Sequence, residues 1–150
     1  MAILPAYHCQ KMAHGSLLYA AAVALRYEVL RVPLRLSFTK QQLDNEAADH
    51  HFVAINEQKK VVATLLLSQT ETESCLKMRQ VAVQTAVQGT GVGSLLVAYA
   101  ETWAKNQNHT QMVLNARETA IPFYLKNGYV ARSEPFLEVG LVHKKMEKQL

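Results

Sequence analysis

The sequence predicts a mixed α/β fold, on three observations. Short apolar runs of strand character alternate with segments whose apolar residues recur at helical spacing. Met78 to Trp103, MRQVAVQTAVQGTGVGSLLVAYAETW, reads as a strand, a turn with glycines on alternate residues, and an amphipathic helix. A short apolar strand at Met112-Val113-Leu114 then leads into Asn115 to Tyr129, NARETAIPFYLKNGY. There Pro122 suits the first turn of a helix and Asn127-Gly128 its left-handed C-cap. The expected order is α α β β β α β α β β, with a further strand before the first helix around Ile3 to His8. No repeats or linkers interrupt it, so residues 1–150 are expected to form one domain.

In chain order, Gly15-Ser16 caps a helix expected to run to about Arg31, with Leu17, Ala20, Ala21, Ala24, Leu25 and Glu28 along one side. Pro33 is expected to force Val32 out of the helical region and end it. Arg26 and Glu28 read as solvated or locally paired. Thr39-Lys40-Gln41-Gln42 fits a capping box, giving a short helix from 40 to about 48. Phe52 to Ile55 and Val61 to Leu67 read as an antiparallel hairpin around the polar stretch 56–60. His50 and His51 are adjacent, which suits chelation from neither a helix nor a strand face, so they are expected at the surface or a strand edge.

The strand beginning near Ser74 carries Leu76 and Met78 on one face, but the next apolar pair, Val81 and Val83, is displaced by one position. An inserted residue slips a period-two pattern in this way, so a β-bulge is expected near Arg79-Gln80. The following helix, about Gly91 to Lys105, is expected to turn Leu95, Leu96, Tyr99 and Trp103 to the core. Tyr129 to Arg132 and Leu137 to Met146 read as two final strands.

Bulk properties narrow the function classes. At 150 residues, with 49% apolar and 19% charged residues, the chain can bury a core without disulfides. A net charge of +4, spread along the sequence, gives no case for nucleic acid. Cys9 and Cys75 form no CxxC and no metal-ligand spacing, so no metal is expected and reduced thiols in a cytoplasmic protein are the reading. No secretory signal is evident, and the longest apolar run, Leu17 to Leu25, is far short of the ~20 residues of a membrane span.

The glycine turn carries the chemistry. Gly89, Gly91 and Gly93 keep side chains away from a ligand and permit positive φ. The amides from about Thr90 to Ser94 lie at the mouth of the helix, where the dipole favours an anion by roughly 0.3–1 kcal/mol. A P-loop would need a Lys before its Ser or Thr, and Val92-Gly93-Ser94 has none. A dinucleotide fingerprint would need glycine at position 94 and an acidic residue about 20 positions on. Gln/Arg-x-x-Gly-x-Gly/Ala is met in full by Gln88-Gly89-Thr90-Gly91-Val92-Gly93. The alternative is a strand-to-helix turn that binds nothing.

This motif resembles the pyrophosphate-binding turn of the GNAT superfamily of N-acetyltransferases. The later Ala-x-x-hydrophobic-Tyr helix with its Gly and aromatic, here Ala120, Phe123, Tyr124, Gly128 and Tyr129, is similar to the superfamily's closing helix. The segment Phe136 to His143 with Met146 resembles the ending of the small ElaA-like subgroup, with Val142 where that subgroup has Pro. The resemblance covers roughly residues 16 to 148. It implies a mixed, mostly antiparallel sheet splayed at its fourth strand and flanked by helices, with acetyl-CoA as cosubstrate. It assigns the backbone of Val81 and Val83 to the pantetheine arm, and Gln88, Gly89, Thr90, Gly91, Val92, Gly93 and Ser94 to the pyrophosphate. Arg117 stands where many members place a cofactor-touching Asn, and Asn115 is the nearby substitute.

The same resemblance makes Tyr124 the group that protonates the departing thiolate. A phenol near ~10 stays protonated at neutral pH yet can donate to a thiolate whose acid lies near ~8.5. Packing alone is the other reading of Tyr124. The implied reaction is direct acetyl transfer to a primary amine, small molecule or protein, without a covalent acyl-enzyme. An alkylamine near ~10.4 is almost wholly protonated at pH 7, so a base or water chain is needed. Glu28, Glu138 and His143 are the candidates. A homodimer through the last strands is compatible with the resemblance. A CoA-sensing module without turnover, or an anion-binding structural domain, would use the same turn.

Overall fold

A computed structural model describes residues 6–150. Its element order is β1 (His8–Met12), α1 (Leu17–Arg26), α2 (Lys40–Asp44), β2 (His50–Ile55), β3 (Val61–Gln69), β4 (Cys75–Val83), α3 (Val92–Asn106), β5 (Gln111–Arg117), α4 (Ile121–Lys126), β6 (Val130–Ala131), β7 (Phe136–Glu138) and β8 (Leu141–Gln149). The strands form one mixed sheet in the order β1-β2-β3-β4-β5-β8-β6, with β7 on β8. β4 and β5 form a parallel pair, and the β1-β2, β2-β3, β5-β8, β6-β8 and β7-β8 pairs are antiparallel. The parallel ladder runs from Cys75 opposite Gln111 to Met78 opposite Leu114 and stops there, although β4 continues to Val83 and β5 to Arg117. The ladder thus ends within the fourth strand, where the splay is expected. The early strand meets the expected one only at His8: Ala6 and Tyr7 are not in a strand, and Ile3 to Pro5 lie outside the described residues.

The described residues fall into two compact units, divided within β4 at Arg79/Gln80 and within α3 at Ala100/Glu101. In the first, residues 6–68 with 80–100, Met12, Tyr19, Ala22, Val53 and Ile55 form a buried cluster on which Leu18, Val23 and Val61 pack. Ser16 caps α1 by accepting from the Tyr19 amide, as its residue type predicts. The buried residues of α1 are Tyr19, Ala22, Leu25 and Arg26, which corrects the expected face in all but Leu25. The helix is apolar on every side up to Leu25, so periodicity had little to discriminate. It continues as a π-helical turn, Tyr27–Arg31, and a 3-10 turn, Val32–Leu34. Val32 stays right-handed helical (φ −56°, ψ −45°), contrary to expectation: crowding by the following proline disfavours that region without forbidding it, and Pro33 itself fits the first turn of the 3-10 segment, where no amide is needed. The chain leaves through left-handed Arg35 instead.

The capping box of α2 is complete, with Thr39 Oγ1 accepting from the Gln42 amide and the Gln42 side chain accepting from the Thr39 amide. The helix ends at Asp44, earlier than the expected 48. His51 is buried, not at the surface, and its Nε2 lies 2.9 Å from the Glu46 carbonyl oxygen.

On α3, buried Val92, Leu96, Val97 and Ala100 face inward, whereas Leu95 and Tyr99, expected in the core, are exposed. Tyr99 is not a core aromatic, although its ring stands edge-on to Phe52 with centroids 6.1 Å apart.

In the second unit, residues 69–79 with 101–150, β5 alternates buried Met112, Leu114 and Ala116 with half-buried neighbours. It is a seven-residue strand with one inward face, longer than the expected Met112 to Leu114. Tyr129 is buried and donates to Glu101 Oε2 at 2.7 Å, while Lys148 Nζ donates to Glu101 Oε1 and the Asn127 carbonyl, both at 2.9 Å. The single strand expected over Leu137 to Met146 is a hairpin, because Val139 (φ 47°) and Gly140 (φ 76°) both adopt positive φ and turn the chain back on itself.

Candidate functional site

β4 runs into the glycine turn through a backbone irregularity. Gln80, mid-strand, has φ 55°, a left-handed residue at the place where the apolar pattern slips. After Val83 a 3-10 turn, Thr85–Val87, brings the chain to Gln88, whose side-chain amide donates back to the Val83 carbonyl at 3.1 Å. Gly89 (φ 82°) and Gly91 (φ 89°) then take conformations that disfavour any side chain. A Cβ built at either would meet nothing within 4 Å, so the turn opens onto free space.

The amides of the turn divide into two groups. Those of Gln88 and Thr90 donate to the carbonyls of Thr85 and Val87 at 3.3 and 3.2 Å, within the turn. At the start of α3 the Leu95 N–H donates to the Gly91 carbonyl at 3.0 Å. Val92, Gly93 and Ser94 therefore begin α3 with amides that have no carbonyl four residues back inside the helix. Gly93 is buried within the helix and is not one of the positive-φ glycines. Thr90 Oγ1 donates to the Val87 carbonyl at 2.6 Å and accepts from the Tyr7 hydroxyl at 3.2 Å. Tyr7 had no local signal in the sequence, since its partner is 83 residues away. Helix α3 has 15 residues, enough for its aligned peptides to present a partial positive charge at this end. Open space, left-handed glycines and a helix mouth together suit a phosphate group.

In the second unit the β5 residues that follow the parallel ladder are Asn115, buried Ala116 and Arg117. Asn115 is the first β5 residue past its end, and its Nδ2 donates to Glu138 Oε1 at 3.3 Å. Glu138 Oε2 lies 3.4 Å from Nε2 of His143, whose side chain is 4% exposed against 47% for Glu138. Nδ1 of His143 is 2.8 Å from the Leu141 carbonyl, and the Phe136 ring stacks on the imidazole at 6.0 Å between centroids. Arg117 is the cross-strand partner of His143.

Tyr124 lies on α4, which opens with a 3-10 turn at Glu118–Ala120 and carries Pro122 in its first turn. Its ring is packed edge-on to Phe123 and Tyr129. Burial pushes its phenol well above the usual tyrosine value, so it holds its proton throughout the neutral range. The structure thus brings Asn115, Glu138 and His143 together. Glu28 lies apart from them in sequence and is exposed in the π-helical turn of the first unit. Among the described residues no group of three His, Cys, Asp or Glu is placed to hold a metal, and no helix is long and apolar enough to cross a membrane.

Comparison with known proteins agrees with these features. A model of the GNAT acetyltransferase domain matches residues 25–150. The uncharacterised N-acetyltransferase YjcF of Bacillus subtilis is 34% identical over 73 residues, which are 48% of this chain and 52% of that protein. The match thus spans about half the length of that relative. A solved structure from Lactobacillus plantarum, assigned as an N-acetyltransferase, has a TM-score of 0.83 and 26% identity over 97% of this chain and 99% of its own. Escherichia coli ElaA shares the fold, with a TM-score of 0.81 and 20% identity over 95% of this chain and 99% of its own. With its glycine turn, its closing tyrosine helix and its splayed sheet, the chain belongs to the GNAT acetyltransferase family.

Proposed function

We propose that this protein transfers the acetyl group of acetyl-CoA directly to a primary amine. The observation that carries the reading is the turn before α3, where left-handed Gly89 and Gly91 open onto free space beside the helix mouth. In this reading the amides of Val92, Gly93 and Ser94, with Gly89 and Gly91 beside them, hold the pyrophosphate. Gln88 and Thr90 shape the turn, since their amides already donate within it. The backbone of Val81 and Val83 pairs with the pantetheine arm, and Asn115 contributes from β5.

Tyr124 supplies the proton to the departing thiolate. Its burial keeps the phenol protonated, and a thiolate formed in apolar surroundings is made correspondingly more basic. The amine nitrogen attacks the thioester carbonyl, the C–N bond forms, and the C–S bond breaks as the tetrahedral intermediate collapses. No covalent acyl-enzyme is needed.

Thermal unfolding with acetyl-CoA, and with pyrophosphate as control, tests the binding half. Ligand at 100 times its Kd should add about 2.7 kcal/mol, a rise of roughly 5–11 °C for a domain of this size. Product formation tests the chemical half, where Tyr124→Phe should lower turnover by about 10²-fold or more without changing the unfolding temperature. A rise produced equally by pyrophosphate would make the turn a plain anion site. Acetyl-CoA binding without product from any amine would leave a CoA-sensing module.

A further inference from the structure

We propose that Glu138 and His143 form the proton-accepting pair for the acceptor amine, with Glu138 meeting the incoming ammonium and His143 holding the proton behind it. This rests on the acetyl-transfer reading above and names the group that reading leaves open. The Leu141 carbonyl can only accept, so at 2.8 Å it fixes a hydrogen on Nδ1 of His143. A neutral ring then carries its lone pair on Nε2, which lies 3.4 Å from Glu138 Oε2. Two lone pairs facing each other repel, and one proton placed between them removes the repulsion. The position between Nε2 and Oε2 is therefore built to hold a single transferable proton.

The surroundings give the pair a direction. His143 is buried and Glu138 is half-exposed, so a proton from outside reaches the imidazole by way of the carboxylate. Asn115 holds the second oxygen, Oε1, at 3.3 Å and leaves Oε2 to the imidazole. The stacked Phe136 ring fixes the imidazole plane. By strand register Asn115, Arg117, Phe136, Glu138, His143 and Lys145 share one face of the sheet. The charged groups around His143 are thus Glu138 on β7, Arg117 on β5, Lys144 and Lys145 on its own strand, and Glu118 in the turn that follows β5.

A carboxylate alone is a poor acceptor for an alkylammonium, with reference values about six pH units apart, and an imidazole narrows that difference to about four. The bound ammonium gives one proton through Glu138 to Nε2, and the neutral amine attacks the thioester carbonyl. The tetrahedral adduct loses a second proton from nitrogen as the C–S bond breaks, and the thiolate leaves as the thiol with the proton of Tyr124. The second amine proton restores Tyr124, and the first returns from His143 through Glu138 to solvent. Glu138 is the catalytic member because it alone meets the amine; His143 acts through it as a positioning residue.

The test is a pH–rate profile on whichever of a polyamine, an amino sugar and a lysine peptide the wild-type protein acetylates, compared with Glu138→Gln and His143→Gln. Both variants should lose about 10²-fold in kcat/KM at pH 7. The loss should shrink about tenfold per pH unit as the amine becomes neutral without help, while acetyl-CoA binding stays unchanged. Glu138→Gln keeps the test open should the buried His143→Gln fail to fold. Nitrogen-15 NMR of His143 gives a readout independent of the acceptor: the neutral ring should carry its hydrogen on Nδ1, and Glu138→Gln should move the Nε2 resonance while leaving the Nδ1 hydrogen in place. A variant profile parallel to wild type, or an Nε2 resonance of His143 indifferent to Glu138→Gln, would overturn the pair while leaving acetyl transfer intact. No product from any amine and no stabilisation by acetyl-CoA would overturn both.

Discussion

Two carboxylates, Glu46 and Glu138, each face a nitrogen base, and they differ in everything that decides what such a pair can do. Glu46 is buried. It accepts from both terminal nitrogens of Arg26 at 2.7 and 2.6 Å and from the Tyr19 hydroxyl at 2.9 Å. Burial opposes its charge, but the hydrogen bonds and charge of Arg26 outweigh that and hold its carboxyl below the usual glutamate range. The same burial, with the Glu46 bond, pushes the Tyr19 phenol up to about 12. Glu138 is half-exposed, touches its imidazole at 3.4 Å, and has one fixed partner on its other oxygen. The first pair is sealed and bidentate, and its partner is a guanidinium that never gives up its proton. It can only hold α1 to the segment after α2. The second pair joins a group that exchanges protons to one that reaches water.

The largest effect should come from breaking the sealed pair. Glu46→Gln leaves the Arg26 charge buried without compensation and should remove about 3–5 kcal/mol of stability. In a thermal scan that is a fall of roughly 6–20 °C. Replacing both partners, Arg26→Met with Glu46→Leu, should recover most of it, because desolvation of both charges is relieved together. Recovery no better than the single variant would mean that the pair contributes more than charge compensation.

A smaller effect concerns His51. Burial, opposed by its bond to Glu46, holds this imidazole below the usual histidine value. The unfolded chain then binds the more protons in the window just below ~6.5, so folding stability should fall as pH drops through it. His51→Phe should flatten that part of the stability–pH curve, measured by urea unfolding from pH 7 to 5. An unchanged slope would assign the pH dependence to other groups.

The smallest effect should be Glu138→Gln. Its pair is half-exposed, so the change should stay within about 1 kcal/mol in the same unfolding experiment. A loss as large as that of Glu46→Gln would erase the contrast and make the Glu138 pair structural.

The features readable from sequence are those set within a few residues. Ser16 caps its helix, Thr39 and Gln42 close their box, Pro122 opens α4, and Gly128 takes positive φ after it. The phase slip before Val81 located the left-handed Gln80 for the same reason, since a strand's period is a local property. Two motifs at their proper separation were enough to point to the family. What sequence missed was set across the fold. Helix α1 is apolar all round, so only tertiary packing chose Tyr19, Ala22 and Leu25 over Leu17, Ala20 and Ala24. Arg26 and Glu46 are 20 residues apart, and no spacing announces a pair made between separate elements.

By itself, then, the chain determined where its backbone must turn, cap and open, because φ, hydrogen-bond termini and proline geometry are decided among neighbours. Only the tertiary structure decided which side chains lose water and which partners they meet there. It buried Arg26, Glu46 and His51 together, turned Tyr99 outward, and set a half-exposed Glu138 against a buried His143. Burial and charge pairing depend on chain segments far apart in sequence, and there the difference between a structural and a proton-exchanging carboxylate is made.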